Sequence, residues 1–290
     1  MGTLIRKKRR VSDLVLYGFI YSSAGIAVAI LIGIICYVFY KGVKTINLTF
    51  LTTVTSSLKG TVGILGNIVN TLYIIVLTLL IATPIGVGSA IYLNEYAKPG
   101  KLVKAIEFTT ETLSGIPSII FGLFGMAFFG TTLGLKTSIL TGALTLTIMI
   151  LPLITRNTQE ALKTVPESYR SGALGMGATK WYMIRTVLLP SAMPGILTGI
   201  ILAIGRIVGE SAALLFTAGS GRALPKAGLE GFFRKFMESS GTLTIELYLQ
   251  MQNGKYEIAF GIGCVLLIIV LCINFLAKFI AGKFDVKKRK

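Results

Sequence analysis

Six apolar runs constrain this chain more than any other feature. They lie at about 14–40, 68–92, 112–129, 137–155, 195–216 and 258–280. Each is near or above the ~20 residues that an α-helix needs to cross a hydrocarbon core. Lipid offers no water to exposed backbone groups, so only helices or a closed barrel can span it. The runs are long and do not alternate, which predicts helices rather than barrel strands. With 53% hydrophobic residues, 14% charged residues and a mean hydropathy of +0.77, the composition agrees. The predicted fold is all-α, a polytopic transmembrane bundle of six spans.

The formal charge is +17. Its placement argues against nucleic acid as a partner, because Arg6 to Arg10 precede the first run and Lys287 to Lys290 follow the last. Basic clusters flanking spans follow the positive-inside rule, with lipid as the partner. With both termini in the cytoplasm, the inner segments 1–13, 93–111, 156–194 and 281–290 hold eighteen Lys and Arg, against nine in the outer segments. That asymmetry predicts a multi-pass protein of the cytoplasmic (inner) membrane. The first run is too long for a cleaved signal peptide and reads as a retained span.

The chain contains no histidine, which removes Ser-His-Asp triads and histidine metal sites. Cys36, Cys264 and Cys272 all lie in apolar runs and read as small buried hydrophobes. No catalytic group, metal or cofactor is expected. Pro84 and Gly86 in the second run, Gly115-Ile116-Pro117-Ser118 in the third and Pro152 in the fourth interrupt helix hydrogen bonding. Such breaks occur as kinks or where a span lines a cavity. The outer segment 217–257 is too polar to span, and short helices or a re-entrant piece are expected there.

Between the fourth and fifth runs lies a polar, glycine-punctuated segment, Ser171 to Pro190. Thr164 and Glu167 have capping-box spacing, and Pro166 suits a first helical turn. A first short helix to about Met176 is predicted, with Gly177 as a left-handed terminator. Thr179 then caps a second helix, Lys180 to Leu189, which Pro190 ends.

In this segment the chain resembles the permease subunits of ATP-binding-cassette importers. Their cytoplasmic loop carries a pattern written EAA, three residues, Gly, nine residues, Ile, one residue, Leu-Pro. The corresponding residues are Ser171, Gly172 and Ala173, then Gly177, Val187, and Leu189-Pro190. The spacing is kept; Ser171 and Gly172 depart from Glu and Ala. The runs Glu111 to Gly125, Arg156 to Trp181 and Ala203 to Gly219 resemble the phosphate-transport permeases, more the PstA type than PstC.

The resemblance implies the importer type I permease fold, with a core over 63–282. Residues 1–62 form a basic segment, first helix and outer loop, and 283–290 a basic tail. It also implies a complex with a PstC-type second permease, an ATPase homodimer docked through the loop Glu160 to Pro190, and an extracytoplasmic binding protein delivering inorganic phosphate. No G-x-x-x-x-G-K-[ST] phosphate loop occurs, so the chain itself is not expected to hydrolyse ATP. Sulfate or molybdate as the anion, or an ion-coupled secondary transporter, are the alternatives.

Arg206 and Glu210 fall inside the fifth run. Ionisable groups in a span are costly and mark functional sites by default. Their spacing puts them on one helix face, either as an ion pair that fixes packing or as groups that meet the anion. The substrate-pathway candidates are Arg206, Glu210, Ser211, Thr217 and Arg222, with Ser114 and Ser118 beside the third-run break.

Overall fold

The computed structural model describes residues 11–56 and 61–283. The terminal basic clusters named above lie outside the described residues, apart from Lys283 at the end of the last helix. Five helices are long and apolar enough to cross a membrane, and a sixth crossing arises if one bent pair counts as a single span.

Helix α6 (Ile139–Lys163) is the axis of the bundle. It packs on α3 (Leu65–Ile91), α5 (Ser118–Gly125) and α9 (Leu189–Gly209). Its core residues Leu146, Ile150 and Ile154 are buried with Ile74 and Ala82 of α3 and Ala203 and Ile207 of α9. Small residues set the spacing. A β-carbon on Gly199 would lie 2.7 Å from that of Asn157, and one on Gly195 would lie 2.6 Å from that of Ala161. Buried threonines return their hydroxyls to the helix, as Thr145 Oγ1 does to Thr141 O at 2.7 Å. Pro152 does not end α6 near residue 155, and the helix runs on to Lys163.

The third run departs from its predicted form. It is not one helix over 112–129 but α4 (Lys101–Ser114) followed, after Gly115-Ile116-Pro117, by α5 and a π-turn to Thr132. The two limbs meet at 104°. Pro117 cannot donate a helical hydrogen bond and biases Ile116 away from helix, which separates the limbs. The fifth run also breaks. Helix α9 ends at Gly209, Glu210 is extended, and a short α10 (Ala212–Thr217) follows.

Helix α1 (Val11–Gly42) touches the rest mainly through α13 (Tyr256–Lys283), near its C-terminal end. Tyr37 meets Phe260 edge-on there, and Thr45 Oγ1 donates to Glu257 O. Residues 15–36 of α1 are exposed. A short α2 (Leu48–Thr52) leads into a two-stranded antiparallel ribbon, β1 (Val54–Ser56) with β2 (Thr61–Ile64), which the all-helical expectation lacked.

The segment 217–257 is ordered, as short helices α11 (Leu229–Arg234) and α12 (Leu243–Gln252). Helix α12 buries its first turn, Leu243 to Glu246, against α3 and α13. This defines a far end of the bundle, opposite the end that carries the Ser171–Pro190 loop.

Candidate functional site

At the loop end, α7 (Glu167–Gly175) starts with Pro166 as its N-cap. The predicted capping box does not form. Thr164 instead closes α6, its hydroxyl donating to Ala161 O at 2.8 Å, while Glu167 pairs with Arg170 at 3.2 Å. Gly177 takes φ +84°, the left-handed conformation expected of it. Thr179 caps α8 (Lys180–Met183) by accepting from the Tyr182 N–H at 3.3 Å.

Pro190 does not stop this helix. A π-turn over Ile184–Leu188 joins α8 to α9, giving one apolar helix from Lys180 to Gly209. The Leu189 N–H bonds five residues back, to Ile184 O. Pro190 follows the π-turn directly, at the start of α9, without ending the helix.

Arg170 pins this loop, and sequence reasoning passed over it. Its guanidinium reaches Glu95 at 3.1 Å and Glu167 at 3.2 Å, and donates to the carbonyls of Val165 and Leu162 at 3.0 Å each. The Glu95 side chain is only 6% exposed, in the π-turn Tyr92–Tyr96 that ends α3. Lys180 adds a cation–π contact, with Nζ 5.0 Å from the centre of the Tyr96 ring. Ala173, Met183, Ile184 and Leu188 pack on Leu162 and Val165, with Val187 and Leu189 at the margin. The outward surface carries Ser171, Gly172 and Gly177 together with exposed Leu174, Met176, Trp181 and Tyr182. The only sequence signal for Arg170 was its place inside the loop; its partner lies 75 residues earlier.

The predicted pathway residues separate into groups. Arg206 and Ser114 line one cavity of about 460 Å³, whose walls include Phe121, Met149, Leu153 and Arg156. Arg206 is exposed, with no ion pair or hydrogen bond among the described residues. Ser118 is half-buried at the start of α5. Arg206 and Glu210 do not share a helix face, because the chain leaves the helix at Glu210 and turns its side chain inward. Glu210 is 7% exposed, its Oε1 accepts from the Ala213 N–H at 3.0 Å, and its carbonyl accepts from Thr244 Oγ1 at 2.9 Å. It therefore opens α10 instead of tempering Arg206.

The other candidates sit apart from that cavity. Ser211 is half-buried in the α9–α10 break, and Thr217 is fully buried, its hydroxyl returned to Ala213 O. Arg222 forms a two-armed pair with buried Glu246, at 2.7 and 2.9 Å, at the far end. Gln250 adds a third donor to Glu246 at 2.6 Å. Also at the far end, Lys235 is fully buried, donating to Ala223 O at 2.7 Å and lying 3.5 Å from Glu238. Burial pulls its ammonium below the ordinary lysine range, and Glu238 opposes that shift.

Arg156, which is not among the residues singled out from the sequence, joins two spaces. It lines the Arg206 cavity and also an adjoining cleft of about 380 Å³ with Lys104, Glu107, Glu111 and Lys163. The membership of Arg156 in a long loop-end helix hid it, since it lies at the edge of an apolar run.

No group of three or more His, Cys, Asp or Glu that could hold a metal occurs among the described residues. Five long apolar helices, with a bent pair able to supply a sixth crossing, define a multi-pass membrane protein. Residues 82–290 match the family described as the binding-protein-dependent transport system inner membrane component, and this chain belongs to that family.

Among curated relatives, a probable ABC transporter permease protein, YqgI of Bacillus subtilis, is 36% identical over 94% of this chain and 96% of its own. The phosphate transport system permease protein PstA of Mycobacterium leprae is 30% identical over 93% of this chain and 88% of its own. In fold, the chain is similar to a bacterial alginate ABC transporter solved with a pentasaccharide-bound periplasmic protein. The TM-score is 0.69 at 17% identity, over 95% of this chain and 96% of that one.

Proposed function

We propose that this protein is the PstA-type permease subunit of an ATP-driven, binding-protein-dependent importer of inorganic phosphate. The observation that carries the reading is the likeness to PstA proteins along most of the chain. The unpaired Arg206 in its cavity supports it, because a guanidinium fork matches the oxygens of a tetrahedral oxyanion. Arg156 and Ser114 add polar groups to a wall that is otherwise mostly apolar.

In this reading the loop end faces the cytoplasm and both termini lie there. The core spans 63–282, and the exposed surface around Gly177 and Trp181 seats a helix-sized groove of a separate ATPase dimer. A PstC-type permease completes the pore, and the far end receives the binding protein. Nucleotide-driven motion of the ATPase pulls on α7 and α8. The Arg170–Glu95 pair passes that motion to α3, and the continuous Lys180–Gly209 helix passes it to Arg206.

The test is uptake of radiolabelled phosphate into proteoliposomes holding the four-component complex. ATP-dependent uptake that excess sulfate and molybdate leave unaffected supports the reading. Uptake driven by an ion gradient without ATP overturns the importer class, and preferential competition by sulfate or molybdate overturns the anion.

A further inference from the structure

Among the described residues, three Arg–Glu pairs join positions more than one helical turn apart, and they differ in how tightly they are held. Arg170–Glu95 and Arg222–Glu246 each have a nearly buried carboxylate bonded by two guanidinium nitrogens. Arg156–Glu111 is different. One nitrogen reaches one oxygen at 3.4 Å, and both side chains are 64% exposed. A pair of that kind contributes little, because water screens it and two long side chains must be ordered to make it. The first two pairs hold the fold together; the third can exchange partners.

The location of the third pair gives that exchange a consequence. Arg156 and Thr110 belong both to the Arg206 cavity and to the adjoining cleft. Met149 and Arg156 both line the cavity and are seven residues apart on α6, so it extends ~10 Å along the helix at ~1.5 Å per residue. The cleft continues toward the loop end, with Lys104 and Lys163 on its walls and Glu107, Glu111 and Glu160 among them. An anion leaving Arg206 in that direction meets Arg156 next, and Glu111 already occupies that guanidinium. A transport path needs sites that attract the ion without trapping it.

We propose that Glu111 is a release residue, an internal competitor whose carboxylate displaces a tetrahedral oxyanion from Arg156 and returns the guanidinium to its resting partner. The inference rests on the phosphate-importer reading. No bond is made or broken; one charge-assisted hydrogen-bonded partner replaces another. Glu111 acts on the anion through Arg156 and is a positioning residue in that sense.

The experiment uses the membrane complex of both permeases and the ATPase dimer in nanodiscs, without nucleotide or binding protein, and inorganic phosphate as the probe. Equilibrium binding is measured for wild type, Glu111→Gln, Glu111→Asp and Glu111→Gln in an Arg156→Gln background, and initial uptake rates are measured in proteoliposomes. Removing the competitor tightens phosphate binding about two- to fivefold, within the range of one exposed ion pair. It also lowers both KM and kcat for uptake, and Asp restores wild-type behaviour in part. A misfolded variant does not bind more tightly, so a structural role is separated from a competitive one. Unchanged or weaker binding in Glu111→Gln overturns the proposal, as does tightening that persists without Arg156. If the wild-type complex neither binds nor imports phosphate, the importer reading itself falls, and the release role with it.

Discussion

Removing the side chain of Arg170 should free the loop from the end of α3. Arg170→Ala deletes two donors to Glu95, leaving the Asn94 amide at 2.7 Å as the remaining side-chain donor to that carboxylate. It also leaves the Val165 and Leu162 carbonyls without their side-chain donor. Because Glu95 is nearly buried, breaking this pair from one side costs about 3–5 kcal/mol. Taking the lower figure and about 1.4 kcal/mol per tenfold, local opening of the loop rises ~100-fold. Hydrogen–deuterium exchange at the amides of 167–188 reads that opening directly where reclosing is fast. Exchange in α6 above Arg156 should stay near wild type, because that core makes no contact with the pair. Phosphate uptake should fall steeply while the complex still assembles in the membrane. In Arg170→Ala with Glu95→Gln the unpaired charge is gone, and part of the loss returns. If exchange over 167–188 changes less than about threefold in Arg170→Ala, the pinning argument is wrong.

Further outcomes test other parts of the account. Gly172 lies within α7, and a β-carbon there would meet nothing within 4 Å, so Gly172→Ala should stabilise the loop by about 1 kcal/mol; exchange over 167–175 slows if so and quickens if the helix is misread. Gly177→Arg places a large side chain at φ +84° on the proposed docking surface and should abolish co-purification of the ATPase; undiminished pull-down counts against that surface. Lys235 is protonated more readily in the unfolded chain than in the fold, so resistance to unfolding rises with pH between its lowered folded value and the ordinary lysine range. Lys235→Met removes that alkaline rise, and a thermal-unfolding series against pH that keeps it would contradict the burial cost.

Membrane architecture was legible because lipid imposes one simple demand, and apolar length answers it. Helices α1, α3, α6 and α13 fall close to the runs that announced them. What apolar length does not encode is where a span breaks. At Ile116-Pro117 the local signal was present, yet hydropathy carries no angle, and the 104° bend went unseen. At Pro190 the opposite error arose, because a proline read as a stop is absorbed by the preceding π-turn. The positions of Gly177 and Thr179 were readable because each depends on backbone rules local to a few residues. Arg206 and Glu210 do not share a face because i, i+4 spacing holds only inside a helix, and Glu210 is where this one ends. The ion pairs of Arg170 with Glu95 and Arg156 with Glu111 join residues 75 and 45 positions apart, which one sequence does not link.

Arg206 carries the central claim, and its removal is the most direct measurement. In proteoliposomes holding the complete complex, Arg206→Ala should lower ATP-dependent phosphate uptake at least ~10-fold, the effect of losing a charge-assisted contact. Assembly and ATPase binding should stay at wild-type levels, since Arg206 supports no hydrogen bond or ion pair among the described residues. Wild-type uptake in Arg206→Ala, with the variant present in equal amount, would contradict the account.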